Sequence, residues 1–363
     1  MNPLIEQSFP VMVIHFAIQS VNKTRVPISP LTKTVGNSAI PTPPLNQQKN
    51  NRNPGKEPMK IIRAEHLGMC FGVKDAIALA LETARHEPLT VLGDLVHNET
   101  VLAELRARQI AFQNEAQAVA TPTVMITAHG ASELRRQSVR ERGLRVLEAT
   151  CPLVLVAHRA LSNLVEQGFH PVIIGKRDHV EVRGMTEDLA VFDVVLNEDD
   201  IGQLQERPQF GVMAQTTQPI EYVRQLVQEL RERFPNSEVR FIDTVCQPTK
   251  QRQHAAVELA KQADAVVVIG GAHSNNTHEL VKTCAKYCPQ VHHVQTADDL
   301  KPDWFSADDV VGITAGTSTP EAIIGAVERR LNDFSAWQNA LASGHRREDP
   351  IAAGILQSSI NHG

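Results

Sequence analysis

Three segments of this 363-residue chain repeat one order of elements, and this repeat constrains the fold more than any other feature. In each segment a cysteine precedes an amphipathic helical stretch, which is followed by a short apolar strand, a glycine and a polar loop. The three opening cysteines are Cys70, Cys151 and Cys246. Counted from its own cysteine, the polar loop places His97 at +27, His179 at +28 and Ser274 at +28. The three registers therefore agree to one residue.

A further helix and strand follow in every segment and again end in a small polar loop, at residues 128–132, 215–217 and 315–319. Strands that alternate with helices predict parallel sheets with right-handed crossovers, and ligands collect at the carboxyl ends of such strands. We therefore expect an α/β fold of three pseudo-repeated αβ modules, arranged around a threefold pseudo-axis so that cysteines and polar loops share a central cavity. Two doubly wound domains in line are the alternative.

The two ends of the chain differ from this body. Residues 1–58 hold nine of the 21 prolines, carry a net charge of +4 and show no lasting periodicity, which predicts a disordered extension. This segment is either a transit peptide or the result of a start codon assigned too early, and the strand-like stretch directly after Met59 favours the early start. The predicted modules span 59–151, 152–242 and 243–330. Residues 331–363 are expected to form a helix end and a loose tail.

Composition argues against several classes of protein. The 36 basic and 41 acidic residues give a net charge of −5, which indicates no basic surface for nucleic acid. No apolar run reaches the roughly 18 residues that a membrane span needs. Five cysteines without a secretory leader disfavour a disulfide scaffold, so the thiols are expected to be reduced and available as ligands or nucleophiles. We expect a cytoplasmic protein without nucleic-acid or membrane partners.

Each repeated cysteine precedes a helix, where the macrodipole and free N–H groups favour an ionised sulfur. A structural zinc site usually takes closely spaced cysteine pairs, and the chain has no CxxC. An iron–sulfur cubane tolerates widely spaced thiolates, and three ligands leave its fourth iron an open site. The alternative is three buried, inert thiols. That interpretation is favoured for Cys284 and Cys288, which are four residues apart on one predicted helix outside the repeat.

The polar loops offer neutral or cationic hydrogen-bond donors, which suit a diphosphate when glycine-rich turns add backbone N–H groups. These donors are His97, His129, Ser274, Asn276 and Ser318. His179 and Glu181 are two residues apart, on the same side of an expected extended segment, where the carboxylic acid could deliver a proton with Thr216 as its relay. Taken singly, each residue has a plainer interpretation as an N-cap, a core histidine or a surface carboxylate.

Nine ordered strings in the body closely resemble the LytB-type 4-hydroxy-3-methylbut-2-enyl diphosphate reductases, from about Met59 to Arg330. They are 69–73, 96–98, 128–132, 149–154, 179–184, 215–217, 243–253, 270–277 and 314–321. The resemblance implies a monomeric trefoil of three αβ domains around a 4Fe-4S cluster with one open iron site. It implies reduction of the hydroxylated diphosphate to isopentenyl and dimethylallyl diphosphates, the last step of the non-mevalonate isoprenoid pathway. Ferredoxin or flavodoxin is the implied electron donor.

The same resemblance implies the roles of individual residues. Glu181 with Thr216 would protonate the departing hydroxyl, and His179 would lie near that hydroxyl and the proton route. The cluster ligands would be Cys70, Cys151 and Cys246, and the diphosphate contacts would be His97, His129, Ser274, Asn276 and Ser318.

The chain departs from the family pattern at a few positions, of which Asn275 matters most. Ser274-Asn275-Asn276 stands where the family has Ser-Ser-Asn, so a carboxamide replaces one diphosphate hydroxyl. An amide still donates hydrogen bonds but is larger, which affects substrate affinity or pocket closure rather than the reaction type. Glu148, Val180 and the Gln247-Pro248 pair also differ from the family pattern and remove no expected ligand.

Two other functions are compatible with three clustered cysteines. A hydro-lyase would use the cluster only as a Lewis acid, and dependence of turnover on a reductant distinguishes it from a reductase. An iron–sulfur sensor would not need Glu181, Thr216 or the diphosphate donors, and their presence argues against it.

Overall fold

Within residues 58–342, the strands form three four-stranded sheets in which every pairing is parallel. The computed structural model describes residues 58–342. This architecture confirms the predicted α/β fold of three repeated modules.

The described chain opens with strand β1 (Lys60–Arg63), which confirms the strand expected after Met59. The next elements are α1 (Phe71–Ala84), β2 (Leu89–Leu92), α2 (Glu99–Ala107), β3 (Ala111–Gln113), β4 (Thr123–Ile126), α3 (Glu133–Glu141) and β5 (Arg145–Glu148). The second module contains α4 (Pro152–Glu166), β6 (His170–Ile174), α5 (Val180–Thr186), β7 (Asp193–Val195), α6 (Glu198–Gly202), β8 (Gln209–Ala214), α7 (Ile220–Arg233) and β9 (Glu238–Phe241). The third contains α8 (Gln247–Gln262), β10 (Ala265–Ile269), α9 (Asn275–Ala285), β11 (Val291–Val294), β12 (Val310–Ala315) and α10 (Glu321–Ala342).

The three sheets share one strand order. The orders are β3-β2-β4-β5, β7-β6-β8-β9 and β11-β10-β12-β1. In the third sheet β1 pairs with β12, with Lys60 beside Val310 and Arg63 beside Ile313, and so fills the edge place that β5 and β9 fill in the other two. The sequence analysis assigned residues 60–63 to the module 59–151, and the pairing moves them to the third module. The pattern alone could not show this, because the partner strand lies some 250 residues away along the chain.

The central strands are buried on both faces, as parallel strands covered by helices require. All five residues of β10 are fully buried. Val267 and its neighbours two residues away pack into a core with α10, whereas Val266 and Val268 pack into a second core with α8 and α9. Successive side chains of a strand point to opposite faces, so one short apolar run serves two cores. These cores fix the loops at the carboxyl ends of the strands.

The last helix is longer than expected. The sequence analysis placed a helix end and a loose tail after Arg330, but α10 continues to Ala342 because Leu331 and Phe334 are fully buried in the third-module core. The expectations for the N-terminal extension and for the rest of the tail fall on residues 1–57 and 343–363, outside the described part. Across residues 58–342, no helix combines the length and apolarity that crossing a membrane requires.

Candidate active site

The three repeated cysteines occupy equivalent places in the fold. Each follows the fourth strand of a sheet, and the N-caps of α1, α4 and α8 are Cys70, Cys151 and Cys246. In that order, their backbone N–H groups donate to the carbonyl oxygens of Thr317, Ala128 and Thr216 at 3.1, 3.0 and 3.0 Å. Each acceptor lies two residues beyond the third strand of the same sheet, so one hydrogen bond recurs in all three modules. The third copy forms only because β1 joins the third sheet.

The three cysteines lie close enough for negative charge at Cys70 to act on both of the other thiols. Burial raises the pKa of Cys151 and Cys246 above the ordinary value, and the negative charges of Cys70 and Glu181 raise both further. Backbone N–H groups of the first helical turns act in the opposite direction. Thiols with raised pKa values are neutral at pH 7, and metal coordination is the ordinary way to ionise several of them together.

The packing around the sulfurs fits a shared inorganic group. A Cβ added at Gly72 would lie 2.7 Å from the Sγ of Cys151, so glycine at this position allows the start of α1 to approach Cys151. The Sγ of Cys246 lies 3.1 Å from the Oγ1 of Thr249, and all five cysteines are free thiols. The donor set of three unlinked thiols at helix N-termini therefore suits an iron–sulfur cluster. Cys284 and Cys288 are buried in the core beneath α9, as packing residues should be.

A buried cation accompanies the thiols. Arg252 on α8 is 5% exposed and donates to the carbonyl oxygen of Gly68 at 2.6 Å. Burial lowers its pKa, whereas negative charge at Cys70 and Cys246 raises it. The Nε of Arg252 has no hydrogen-bond partner. A guanidinium in this position compensates negative charge on a thiolate-bound group, because a buried charge is stable only when paired.

Six polar residues lie at equivalent loop positions and line one cavity. The residues five positions after the first strand of each module are His97, His179 and Ser274. The residues three positions after the third strand are His129, Thr217 and Ser318. Parallel strands of one sheet end at the same edge, so the repeat brings these side chains together.

Three imidazoles form the core of this cavity. The ring centroids of His97, His129 and His179 lie 5.1, 5.4 and 5.6 Å apart, and one nitrogen of each ring lies within 4.8 Å of the other two. Burial lowers the pKa of all three, to about 3 for His179. The rings are therefore neutral at pH 7, and each keeps one N–H to donate.

The third module contributes amides and hydroxyls to the same cavity. Ser274 is the N-cap of α9, and its Oγ accepts a hydrogen bond from the N–H of Thr277 at 3.3 Å. Asn276 accepts from the N–H of Thr317 through Oδ1 at 3.1 Å, which aims its amide nitrogen away from that contact. The Nδ2 atoms of Asn275 and Asn276 are buried and have no hydrogen-bond partner among residues 58–342.

These unpartnered groups distinguish an anion site from a cation site. Three neutral histidines could ligate a divalent cation. However, the amide nitrogens of Asn275 and Asn276 donate only, and a buried donor without an acceptor costs about 1–3 kcal/mol. The Nε2 of His97 is also buried and unpartnered. Donors that converge without acceptors favour a ligand with several anionic oxygens.

A buried carboxyl lies beside the thiols. Glu181 is 1% exposed, and its carboxyl accepts from the backbone N–H of Thr216 at 2.6 Å and from the hydroxyl of Thr216 at 3.0 Å. Burial raises its pKa to about 7, while the two bonds from Thr216 act in the opposite direction. A carboxyl with this pKa is partly protonated at neutral pH and can serve as a general acid.

The backbone around Glu181 differs from the expected extended segment. His179 is the N-cap of the short helix α5, and its Nδ1 accepts from the N–H of Glu181 at 3.2 Å. Glu181 is thus in the first helical turn, and the side-chain cap sets the helix start. Period-two reasoning was wrong here because an imidazole cap is a weak signal in a sequence.

The structure brings most of the predicted site residues to one centre. Seven predicted residues line the cavity: His97, His129, His179, Ser274, Asn275, Asn276 and Ser318. Thr216 contacts Glu181 instead, and its neighbour Thr217 lines the cavity. Thr217 is not among the residues predicted for the site, although its distance from the strand end matches that of His129. Arg252 has no predicted role either, although it belongs to one of the nine strings.

The fold, with thiols, imidazoles and a buried acid at its centre, defines an α/β enzyme of three repeated modules. More particularly, the chain belongs to the LytB protein family, whose model matches residues 61–332. Membership of this family implies an iron–sulfur cluster.

Curated relatives match this chain over nearly their whole length. A 4-hydroxy-3-methylbut-2-enyl diphosphate reductase of Trichlorobacter lovleyi is 37% identical over 279 residues, which cover 76% of this chain and 99% of the relative. The enzyme of the same name from Aquifex aeolicus is 35% identical over 284 residues, or 77% of this chain and 98% of the relative.

Solved structures also match the fold of this chain. One is (E)-4-hydroxy-3-methyl-but-2-enyl diphosphate reductase, described as the terminal enzyme of the non-mevalonate pathway, with a TM-score of 0.56 at 35% identity and coverage of 76% of this chain and 99% of that one. Another is the E-1-hydroxy-2-methyl-but-2-enyl-4-diphosphate reductase from Plasmodium falciparum, with a TM-score of 0.70 at 26% identity and coverage of 76% and 88%.

Proposed function

We propose that this chain reduces (E)-4-hydroxy-3-methylbut-2-enyl diphosphate to isopentenyl and dimethylallyl diphosphates, the terminal step of the non-mevalonate pathway. Two electrons and two protons enter, the C–O bond to the hydroxyl breaks, and water leaves. The names of the relatives support the substrate. The observation that carries the proposal is the buried carboxyl of Glu181, which Thr216 holds through two hydrogen bonds and whose charge acts on Cys151 and Cys246.

The cofactor of this reaction is a 4Fe-4S cluster with three protein ligands and one open iron site. The thiolates of Cys70, Cys151 and Cys246 would hold it, supported by their equivalent N-cap positions. When bound, such a cluster supplies a Lewis-acid site and passes electrons singly. Arg252 balances part of the negative charge at these thiolates.

Glu181 supplies a proton to the departing hydroxyl. Thr216 holds the carboxyl through two hydrogen bonds, which leaves the remaining oxygen lone pairs and the proton to face the substrate. His179, whose Nδ1 accepts from the N–H of Glu181, lines the cavity and assists this route. Burial keeps bulk water away, so the proton is delivered to the substrate.

The diphosphate binds to neutral donors rather than to a row of cations. His97, His129 and His179 donate from the first two modules, and the third module provides the second set: Ser274, Asn275, Asn276 and Ser318. The N-termini of α2, α5 and α9 border the cavity and favour negative charge. A bound diphosphate raises the pKa of the histidines and strengthens their hydrogen bonds.

The remaining assignments follow from the family resemblance. Electrons come from a ferredoxin or flavodoxin, and the chain acts as a monomer. We place the chain in the cytoplasm, a reducing compartment that would keep its five cysteines out of disulfides.

Anaerobic purification tests this function directly. Iron and sulfide should each amount to about four per chain, and the hydroxylated diphosphate should be consumed only when a reductant is present. Equal turnover without reductant would indicate a hydro-lyase, and no turnover with an intact cluster would indicate a sensor.

A further inference from the structure

The loop from Gly270 to Ser274 ends at Ser274, one of the hydrogen-bond donors that the third module contributes to the cavity. We call this loop the phosphate loop. Three side chains outside the cavity hold the backbone of this loop. They form the loop clamp: His278, His293 and Gln295.

Two histidines of the clamp bind loop carbonyls. The Nε2 of His293 on β11 lies 2.9 Å from the carbonyl oxygen of Gly270, and the Nε2 of His278 on α9 lies 2.6 Å from that of Ala272. A carbonyl only accepts, so each Nε2 carries the hydrogen and donates it. The two rings also contact each other edge to face, with centroids 5.5 Å apart. The clamp thus joins α9 to β11 across the loop.

The same loop is held from its N–H side. The Oε1 of Gln295 accepts from the N–H of Ala272 at 3.0 Å, and the N–H of Gly270 donates to the carbonyl oxygen of Val294 at 2.9 Å. Both polar groups of Ala272 and both of Gly270 are therefore engaged. A surface loop in which alternate residues are held on both sides has little freedom to move.

The position of the phosphate loop sets the width of the cavity. Between the clamped residues, Gly271 packs against the first module so closely that an added Cβ would lie 2.1 Å from the carbonyl oxygen of His97. Gly271 also accepts from the N–H of Ser274 at 3.0 Å. A shift of the loop would therefore change the distance between His97 and Ser274, two donors proposed for the same diphosphate.

We propose that the loop clamp positions the phosphate loop for diphosphate binding. The clamp residues are positioning residues, because the described side chains that line the cavity do not include them. This inference rests on the proposed function. It predicts that loss of the clamp weakens substrate binding and leaves the proton donor Glu181 intact.

The test compares His293→Leu with His293→Gln in the cluster-loaded enzyme. The leucine variant should raise KM for the hydroxylated diphosphate about tenfold, equivalent to about 1.4 kcal/mol, with kcat within about twofold of the unchanged chain. The inhibition constant of inorganic diphosphate should rise in parallel. Glutamine keeps an N–H donor and should restore most of the affinity. His278→Leu should have a smaller effect, about threefold, because its bond to Ala272 is exposed to water.

The matched control is His292→Leu. His292 lies on the same strand with its ring on the opposite face, stacked on Trp304 at 4.2 Å. It should leave KM and diphosphate inhibition unchanged. An unchanged KM in His293→Leu overturns the proposal, as do equal rises in His293→Leu and His292→Leu or a glutamine variant as impaired as the leucine one. Failure of the unsubstituted enzyme to turn over the substrate refutes the proposed function instead, and calorimetric binding of inorganic diphosphate to the same variants then decides on the clamp.

Discussion

The cysteine positions and the polar loops of this protein repeat three times, but only the cysteine positions repeat the residue. All three cysteines are N-caps, and all three donate their N–H to the loop that follows the third strand of the same sheet. The loops repeat the place and vary the side chain, as His97, His179 and Ser274 show at one position. The repeat thus keeps the same residue at the three proposed cluster ligands and varies it in the loops.

This difference matches the symmetry of what each region is proposed to bind. A cluster held by three thiolates presents similar corners to the three modules, so one local solution serves three times. A substrate with a diphosphate at one end and a hydroxyl at the other has no such symmetry. The second module accordingly provides the acid Glu181, whereas the third provides amide and hydroxyl donors.

The largest effect is expected from replacing one of the three repeated cysteines. Cys151→Ser should lose the cluster and all turnover, because a hydroxyl is a poor ligand for iron and two thiolates remain. Iron and sulfide analysis with visible absorption measures the loss. Cys284→Ala is the matched control, since that thiol is buried in the core away from the trio, and it should keep the full iron content. Unchanged iron in Cys151→Ser would refute the ligand role.

The next largest effect is expected from replacing the buried acid, which only the second module provides. Glu181→Gln should retain the cluster absorption and reduce kcat by about 10²–10⁴, the usual contribution of a general acid. Thr216→Val should reduce kcat about tenfold, because it removes one of the two hydrogen bonds that hold the carboxyl and leaves the N–H bond.

The control for that experiment is Glu206→Gln, an exposed carboxylate on the same module. It should leave kcat unchanged. Full activity of Glu181→Gln would remove the proton-donor assignment while leaving the cysteine trio untouched.

The sequence predicted the repeated part of this molecule better than the varied part. Local patterns sufficed for the three Cys-helix-strand units, because apolar runs such as Ala265–Ile269 and Pro152 at a helix start report directly on local structure. The place of β1 could not be predicted in this way, since it depends on a partner far along the chain.

The site was predicted chiefly from loop residues that the family resemblance singled out. Spacing alone would have added Thr217, which is equivalent to His129. The pKa of Glu181 and the burial of Arg252 could not be predicted, because both depend on packing among three modules that no single segment contains. The helical start at His179 was missed for a local reason, because an imidazole is a weak N-cap signal in a sequence.

A third prediction concerns stability. Burial raises the pKa of Glu181 from 4.5 to about 7, so its contribution to stability is full below pH 4.5 and is lost as pH rises through 7. That difference corresponds to about 3 kcal/mol at pH 8. Glu181→Gln should therefore be more stable than the unchanged chain at pH 8 by about that amount and not at pH 4.5. Anaerobic thermal unfolding at both pH values measures it.

The smallest expected effect tests whether a single third-module donor contributes to substrate binding on its own. Asn275 has a buried Nδ2 without a partner, and a diphosphate oxygen would satisfy it. Asn275→Ala should raise KM about tenfold, because the hydrogen bond to a charged oxygen is lost. Asn275→Ser, which restores the family residue, keeps a shorter donor and should raise KM only about threefold, with kcat unchanged. A lower KM in the alanine variant would mean that the carboxamide obstructs the substrate. The side chains that differ between the three loops would then be explained by the room that the substrate needs rather than by hydrogen bonding.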